Sequence, residues 1–184
     1  MIEYVDVIDD KDTVIGKTTR KNAHTKATLH PTVKILLFNS IGQILLQQRS
    51  KNKSIFPSYW DISVCEHILS GESQIKAAAR GLWEELSVKT KIKLLRNNHI
   101  QVSQYGIEKQ RFIECELVKL YGGFFDGEIK TNKEEITDIM FVSIPKLRKL
   151  IHQSKILFTP WGLDELLFLL RNHKQIVEKI YEGK

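Results

Sequence analysis

Cysteine, proline and long apolar runs are all scarce in this chain, and each scarcity removes a class of protein. Among 184 residues there are 2 cysteines, Cys65 and Cys115, and they do not form a CxxC pair. Neither a disulfide framework nor a zinc ribbon is therefore written here. With 4 Pro and 10 Gly, the chain is neither collagenous nor of low complexity. The longest apolar runs, Ile35-Leu36-Leu37-Phe38 and Leu166-Leu167-Phe168-Leu169-Leu170, fall far short of the roughly 20 residues that cross a bilayer. The opening stretch Met1-Ile2-Glu3-Tyr4-Val5-Asp6 lacks the basic and then hydrophobic pattern of a secretory signal, so a cytoplasmic location is expected. A dense Lys/Arg block and the aromatic pattern of an RNA-binding sheet are missing too. The excess of 28 basic over 22 acidic residues, 28 − 22 = +6, thus points to a small phosphorylated ligand rather than a nucleic acid.

What is present is the composition of a folded protein, 42% hydrophobic and 27% charged, in a length that suits one domain over residues 1–184. Alternating residues at Tyr4–Ile8 and Thr13–Gly16 predict a hairpin, and strands are predicted at Thr32–Asn39, Gln43–Arg49, Tyr59–Val64, Ile100–Tyr105, Gln110–Leu120 and Ile136–Val142. Tyr121-Gly122-Gly123 reads as a turn. Helices are predicted from Gln74 to Leu86, with Ile75, Ala79, Leu82 and Leu86 as the apolar stripe, at Pro145–His152 and from Gly162 to Glu182. This pattern implies an α+β class, a mixed sheet sandwiched between helices.

The first of these helices carries the chemistry. Glu84 and Glu85 stand together near its end, Arg80 lies one turn earlier, and Glu72 precedes it. Acids gathered in this way repel one another unless a cation lies between them, and hard cations such as Mg2+ take oxygen ligands. Spacing and order resemble the Nudix box, G-x5-E-x7-R-E-U-x-E-E-x-G-U with U a bulky aliphatic residue. Glu72, Arg80, Leu82, Glu84, Glu85 and Val88 fit, whereas Glu66 stands at the first glycine, Gly81 at the acid after the arginine and Ser87 at the last glycine. The resemblance implies a Nudix fold and a Mg2+ or Mn2+ cofactor. It also makes Gly81 a lost ligand, for which Glu66 is the expected substitute.

Outside the box, Ala23-His24, Leu29-His30, Leu45-Leu46-Gln47-Gln48-Arg49-Ser50, Trp60, Cys65-Glu66-His67 and Phe158-Thr159-Pro160-Trp161 resemble the branch that holds type I isopentenyl-diphosphate isomerase and its hydrolase-like relatives. That resemblance implies a metal site from His24, His30 and His67 with acids from a later strand, diphosphate contacts from Arg49 and Lys53, a catalytic Cys65 and an aromatic Trp161. The later acids fall at Glu108-Lys109-Gln110 in one alignment and at Glu114 or Glu116 in another.

Three functions follow, in order of expectation. The first is a metal-dependent hydrolase of a phosphoanhydride, a nucleoside diphosphate linked to another group, with Glu84 and Glu85 as ligands or base and Arg80 beside them. The second is an isopentenyl-diphosphate isomerase using Cys65. The third is a catalytically weak sensor of a diphosphate or nucleotide. Substrate choice is expected to lie in loops at 94–107 and 121–133, and a homodimer is compatible with the resemblance.

Overall fold

The computed structural model describes residues 2–105 and 112–182. Its chain order is β1 (Tyr4–Ile8), β2 (Val14–Thr19), α1 (Arg20–Thr25), β3 (His30–Phe38), β4 (Ile44–Arg49), β5 (Trp60–Asp61), β6 (Val64–His67), α2 (Gln74–Leu86), β7 (Ile92–Tyr105), β8 (Phe112–Phe124), β9 (Ile136–Val142), α3 (Ile144–His152) and α4 (Pro160–Tyr181). Strands β1 and β2 form a separate antiparallel ribbon, and the main sheet runs β5-β4-β3-β8-β7, with β6 paired to β3 and β9 to β4. β3 and β8 are parallel while the other pairs are antiparallel, so the sheet is mixed, as its residue pattern implied.

β3 is buried along its whole length. Its odd-numbered residues Val33, Ile35 and Leu37 pack with Val64, Ala77, Ala78, Leu82 and Leu86 under α2. Its even-numbered Leu36 and Phe38 pack with Leu147, Leu166, Leu169 and Ile176 of α3 and α4. One sheet between two helical layers is the α+β sandwich expected, and period-two alternation assigns each β3 side chain to a layer.

Three details differ from the sequence reading. Gly122 and Gly123 lie inside β8, not in a turn. A Cβ on Gly122 would sit 2.6 Å from Ile180 Cδ1, so the glycine lets α4 approach the sheet. The segments at 94–105 and 121–124 are strand rather than loop, and residues 106–111, which include Glu108, Lys109 and Gln110, lie outside the described residues. Finally, the buried stripe of α2 is Ala77, Ala78, Gly81, Leu82, Glu85 and Leu86, with Ile75 and Ala79 exposed, because the helix is rotated to turn its smallest residues toward β6.

Capping fixes the ends of α2. The Ser73 hydroxyl accepts from Lys76 N, and Ser87 closes the helix at φ 56°, ψ 32°. This left-handed geometry suits glycine, which the box has there, and a non-glycine residue adopts it at a cost of roughly 1 kcal/mol. Ser87→Gly is therefore expected to raise unfolding free energy by about 0.5–1 kcal/mol in a urea titration. No gain in midpoint would show that the Ser87 side chain compensates for its backbone.

Candidate functional site

The pairing register of β3 gathers the polar site. Within β3, His30, Thr32 and Lys34 share one face; across its two edges, Thr32 and Lys34 oppose His67 and Cys65 of β6, and His30 opposes Glu116 of β8. Alternation adds Glu114 to the same side. Cys65 and Glu116 thus stand on strands flanking β3, and both line one pocket together with Arg20, His24, Lys34, Arg49, Glu66, His67 and Trp161.

His24 enters from α1, whose first turn is capped by the Thr19 hydroxyl. Its Nε2 lies 3.0 Å from His67 Nε2, and the rings of His30 and His67 stack at 5.2 Å. His30 Nδ1 donates to the Thr28 carbonyl at 2.8 Å, which leaves a lone pair on Nε2, a buried atom with no protein partner. His24 Nδ1 is equally orphaned, 3.9 Å from Glu114 Oε2. Glu116 Oε1 lies 3.7 Å from His67 Nε2. Burial lowers His24 to about 4 and His67 well below its ordinary value, so these two imidazoles are neutral at neutral pH. Their contacts with the acids are then not ion pairs. Three imidazoles with ligand atoms within 4.8 Å of one another, beside two carboxyls, fit a divalent cation.

The two acids are not equivalent. Burial pushes Glu114 well up, and the neighbouring charge of Glu116 adds to that. Burial opposes ionisation of Glu116 as well, but the Lys34 ammonium, 3.3 Å away, and a hydrogen bond from Glu114 hold it down to about 2. Lys34 itself is fully buried and also donates to Gln101. Burial works against its charge, yet Glu116 raises its pKa, so it remains an ammonium. Lys34 escaped the sequence reading, although a lone lysine within Val33-Lys34-Ile35-Leu36-Leu37-Phe38 is itself a sign of a buried charge pair. Arg20 also escaped it; the side chain lines the pocket and pairs with Glu3 at 2.9 Å.

On the flank of β6, the Cys65 thiol faces Asp61 Oδ1 at 3.7 Å. Burial lifts the thiol well above its usual range and the Asp61 charge lifts it further, so Cys65 carries its proton at neutral pH. Asp61 accepts from Trp161 Nε1 at 2.7 Å and so fixes the indole plane. Gly162 permits this contact, since a Cβ there would lie 2.3 Å from Asp61 Oδ1. The Arg49 guanidinium lies 5.3 Å from the Trp161 ring centre, with donors to the carbonyls of Ile55 and Phe56. Trp161, 6% exposed, is a pocket wall as well as a core residue.

The acids of α2 separate. Glu85 is buried, and one of its oxygens accepts from Gln47 at 2.8 Å. Burial and the nearby Glu66 push its pKa well up. Glu84 points outward and meets Arg80 at 3.5 Å. The two are not a matched pair of inward ligands, since residues adjacent on a helix diverge by about 100°. Glu72, expected as a ligand, holds Arg80 instead: its oxygens accept from Arg80 at 3.1 and 2.9 Å and from Leu69 N at 3.1 Å. Lys53, expected at the diphosphate, donates to Glu135 and is not among the residues that line the pocket.

A mixed sheet between helices, an acid-bearing helix packed on it and a polar pocket at β3 together define a Nudix-type domain. The NUDIX domain model matches residues 28–162, and the chain belongs to that family. Over 161 residues it is 31% identical to isopentenyl-diphosphate Delta-isomerase 2 of Photorhabdus laumondii, covering 88% of this chain and 89% of that protein. It is 30% identical over 172 residues to an uncharacterized Nudix hydrolase of Listeria monocytogenes, covering 93% and 96% of the two chains. Among solved structures, DR0079 of Deinococcus radiodurans aligns with a TM-score of 0.67 at 21% identity, over 98% of this chain and all of that one (100%).

Proposed function

We propose that this protein, residues 1–184 acting as a single domain, is an isomerase of isopentenyl diphosphate or a closely similar alkenyl diphosphate. The observation that carries the reading is the placement of the Cys65 thiol and the Glu116 carboxyl on the strands either side of β3, both lining one pocket, where burial favours the protonated thiol and Lys34 favours the carboxylate. Of the two alignments of the later acids, Glu114 and Glu116 are the ones that line the pocket, which supports this chemistry. The likeness to isomerases over most of the chain agrees with it.

The reaction moves a double bond by one carbon, with one proton gained and one lost. Cys65 Sγ gives its proton to the terminal alkene carbon, the branched carbon becomes cationic, and Glu116 takes a proton from the methylene on its other side. The Trp161 ring faces the developing cation, an interaction worth about 2 kcal/mol or more when desolvated. Arg49 and Arg20 receive the diphosphate at the pocket mouth. His24, His30 and His67 with Glu114 and Glu116 would hold a divalent transition-metal cation, while Glu85 would offer oxygen to Mg2+. When bound, such cations supply positive charge against the diphosphate and hold the acid wall in place. A pocket lined by Arg20 and Arg49 and walled by Trp161 suits a small phosphorylated substrate.

Hydrolysis of a phosphoanhydride is the second reading, supported by the Nudix-box helix with its buried Glu85 and Arg80. A product-mass screen with Mg2+ or Mn2+ separates the two, offering isopentenyl diphosphate, ADP-ribose, nucleoside diphosphate sugars, dinucleoside polyphosphates and nucleoside triphosphates. Mass-neutral conversion of isopentenyl diphosphate is expected. Cleaved anhydride that depends on Glu85 would establish the hydrolase, and silence with metal bound would leave a sensor.

Chelation gives a related expectation. Removing divalent cations should abolish conversion, and the orphaned imidazole nitrogens should take up Mn2+ again with recovery of activity. Full activity in the presence of a strong chelator would contradict the assignment of His24, His30 and His67.

A further inference from the structure

Alternation along β6 sends Glu66 to the face opposite Cys65 and His67, toward α2. There its side chain lies across position 81. A Cβ built on Gly81 would be 3.1 Å from Glu66 Cβ, 3.2 Å from Glu66 Cγ and 3.0 Å from Val64 Cγ1. The glycine is therefore not an idle loss of a side chain within a helix, where it costs roughly 1 kcal/mol relative to alanine. It is the space through which the Glu66 stem passes. The carboxylate beyond that stem is held by Arg80 at 3.2 Å, the same guanidinium that Glu72 clamps at 2.9 Å, and Glu66 Oε1 also accepts from His67 N at 2.9 Å.

We propose that Glu66 and Gly81 are a coupled exchange, in which β6 delivers to the α2 side of the pocket the carboxylate that α2 lacks, so that Glu66 and Glu85 together seat a cation accompanying a diphosphate. This rests on the reading of the pocket as a diphosphate site. Glu66 lines the pocket, and Glu85 is buried on α2 with one oxygen held by Gln47. Gly81 and Glu85 are one turn apart on the buried face of α2, so a side chain lying over Gly81 comes to the same face as Glu85. Arg80 is shared by Glu66, Glu72 and Glu84, so one guanidinium faces three carboxyls, and a hard divalent cation would balance the negative charge left over. This seat faces α2 and is distinct from the imidazole cluster on the opposite face of β6.

The experiment is a Mn2+ titration followed by the electron paramagnetic resonance of the free ion, carried to two equivalents with inorganic pyrophosphate present. The parent protein is expected to bind two ions. Glu66→Gln, which keeps the packing over Gly81, is expected to retain one and to weaken the other by about tenfold or more. The double variant Glu66→Gly with Gly81→Glu, which returns the carboxylate to the helix, is expected to regain the second ion. Two ions bound by Glu66→Gln with parental affinity would overturn the proposal. So would a folded double variant in which the second ion stays as weak as in Glu66→Gln. The readout needs no turnover, and Cys65→Ala should leave it unchanged. Failure of the isomerase reading would therefore appear as inactivity with two ions bound, separate from failure of the exchange.

Discussion

Cys65→Ala is expected to lower the conversion of isopentenyl diphosphate by about 1,000-fold, within the range by which a positioned acid or base accelerates a reaction. The thiol is held over the pocket by the β3–β6 pairing, with Lys34 opposite it in register. Its proton is retained because burial and Asp61 both oppose the thiolate. Alanine removes the transferable proton but little volume, so unfolding stability should change by only about 1 kcal/mol. Anhydride hydrolysis would not need this thiol. An enzyme that cleaves a nucleoside diphosphate derivative at the parental rate after Cys65→Ala, and never converts the alkene, would move the assignment to the hydrolase.

The second large effect is expected at Lys34, a group that touches Glu116 rather than solvent. Lys34→Met leaves a buried carboxylate without its cation, a change that costs roughly 3–5 kcal/mol for a buried pair. The pH dependence follows from the direction of the Glu116 shift. With Lys34 present, Glu116 titrates near 2, below its ordinary value of 4.5. Its contribution to stability is therefore complete above 4.5 and is lost as pH falls toward 2. Without the ammonium, burial dominates and raises Glu116, so the acid limb of the rate profile should move upward and activity at neutral pH should fall. Lys34→Arg, which keeps the charge, should retain more of both properties if it fits. An unchanged acid limb in Lys34→Met would show that Lys34 does not govern Glu116.

Much of this fold was legible because its signals are local. The α2 boundaries at Gln74 and Leu86 agree with the residue pattern, since Ser73 caps one end and a left-handed Ser87 stops the other. The strand at Ile136–Val142 was equally legible. The glycines of β8 misled because Gly122 answers to α4 across the sheet, a contact between residues distant in sequence. The same distinction divides the site. Cys65, His24, His67, Arg49 and Trp161, all singled out from the sequence, line one pocket, and the His30 ring lies beside those of His24 and His67. Lys34 and the choice of Glu114 and Glu116 were not, because they depend on which residues of β3, β6 and β8 come opposite one another. Glu72 was placed by the spacing of the box and Lys53 by the resemblance to the isomerase branch, and the ion pairs they form with Arg80 and Glu135 are visible only once the chain is folded.

The Gly81 departure shows how a motif can mislead when read position by position. By spacing alone it is a missing acid. In three dimensions the position is filled by the stem of Glu66, the residue named from the sequence as its substitute.

The central claim is that this pocket moves a proton onto one end of an alkene and takes another from its neighbour. The most direct measurement is proton magnetic resonance of isopentenyl diphosphate incubated with the protein, Mg2+ and Mn2+ in deuterium oxide. The expected result is conversion to the internal alkene with deuterium entering the former terminal methylene, no phosphate released, and no conversion by Cys65→Ala. Release of phosphate or pyrophosphate without solvent deuterium in any alkenyl carbon would contradict the account.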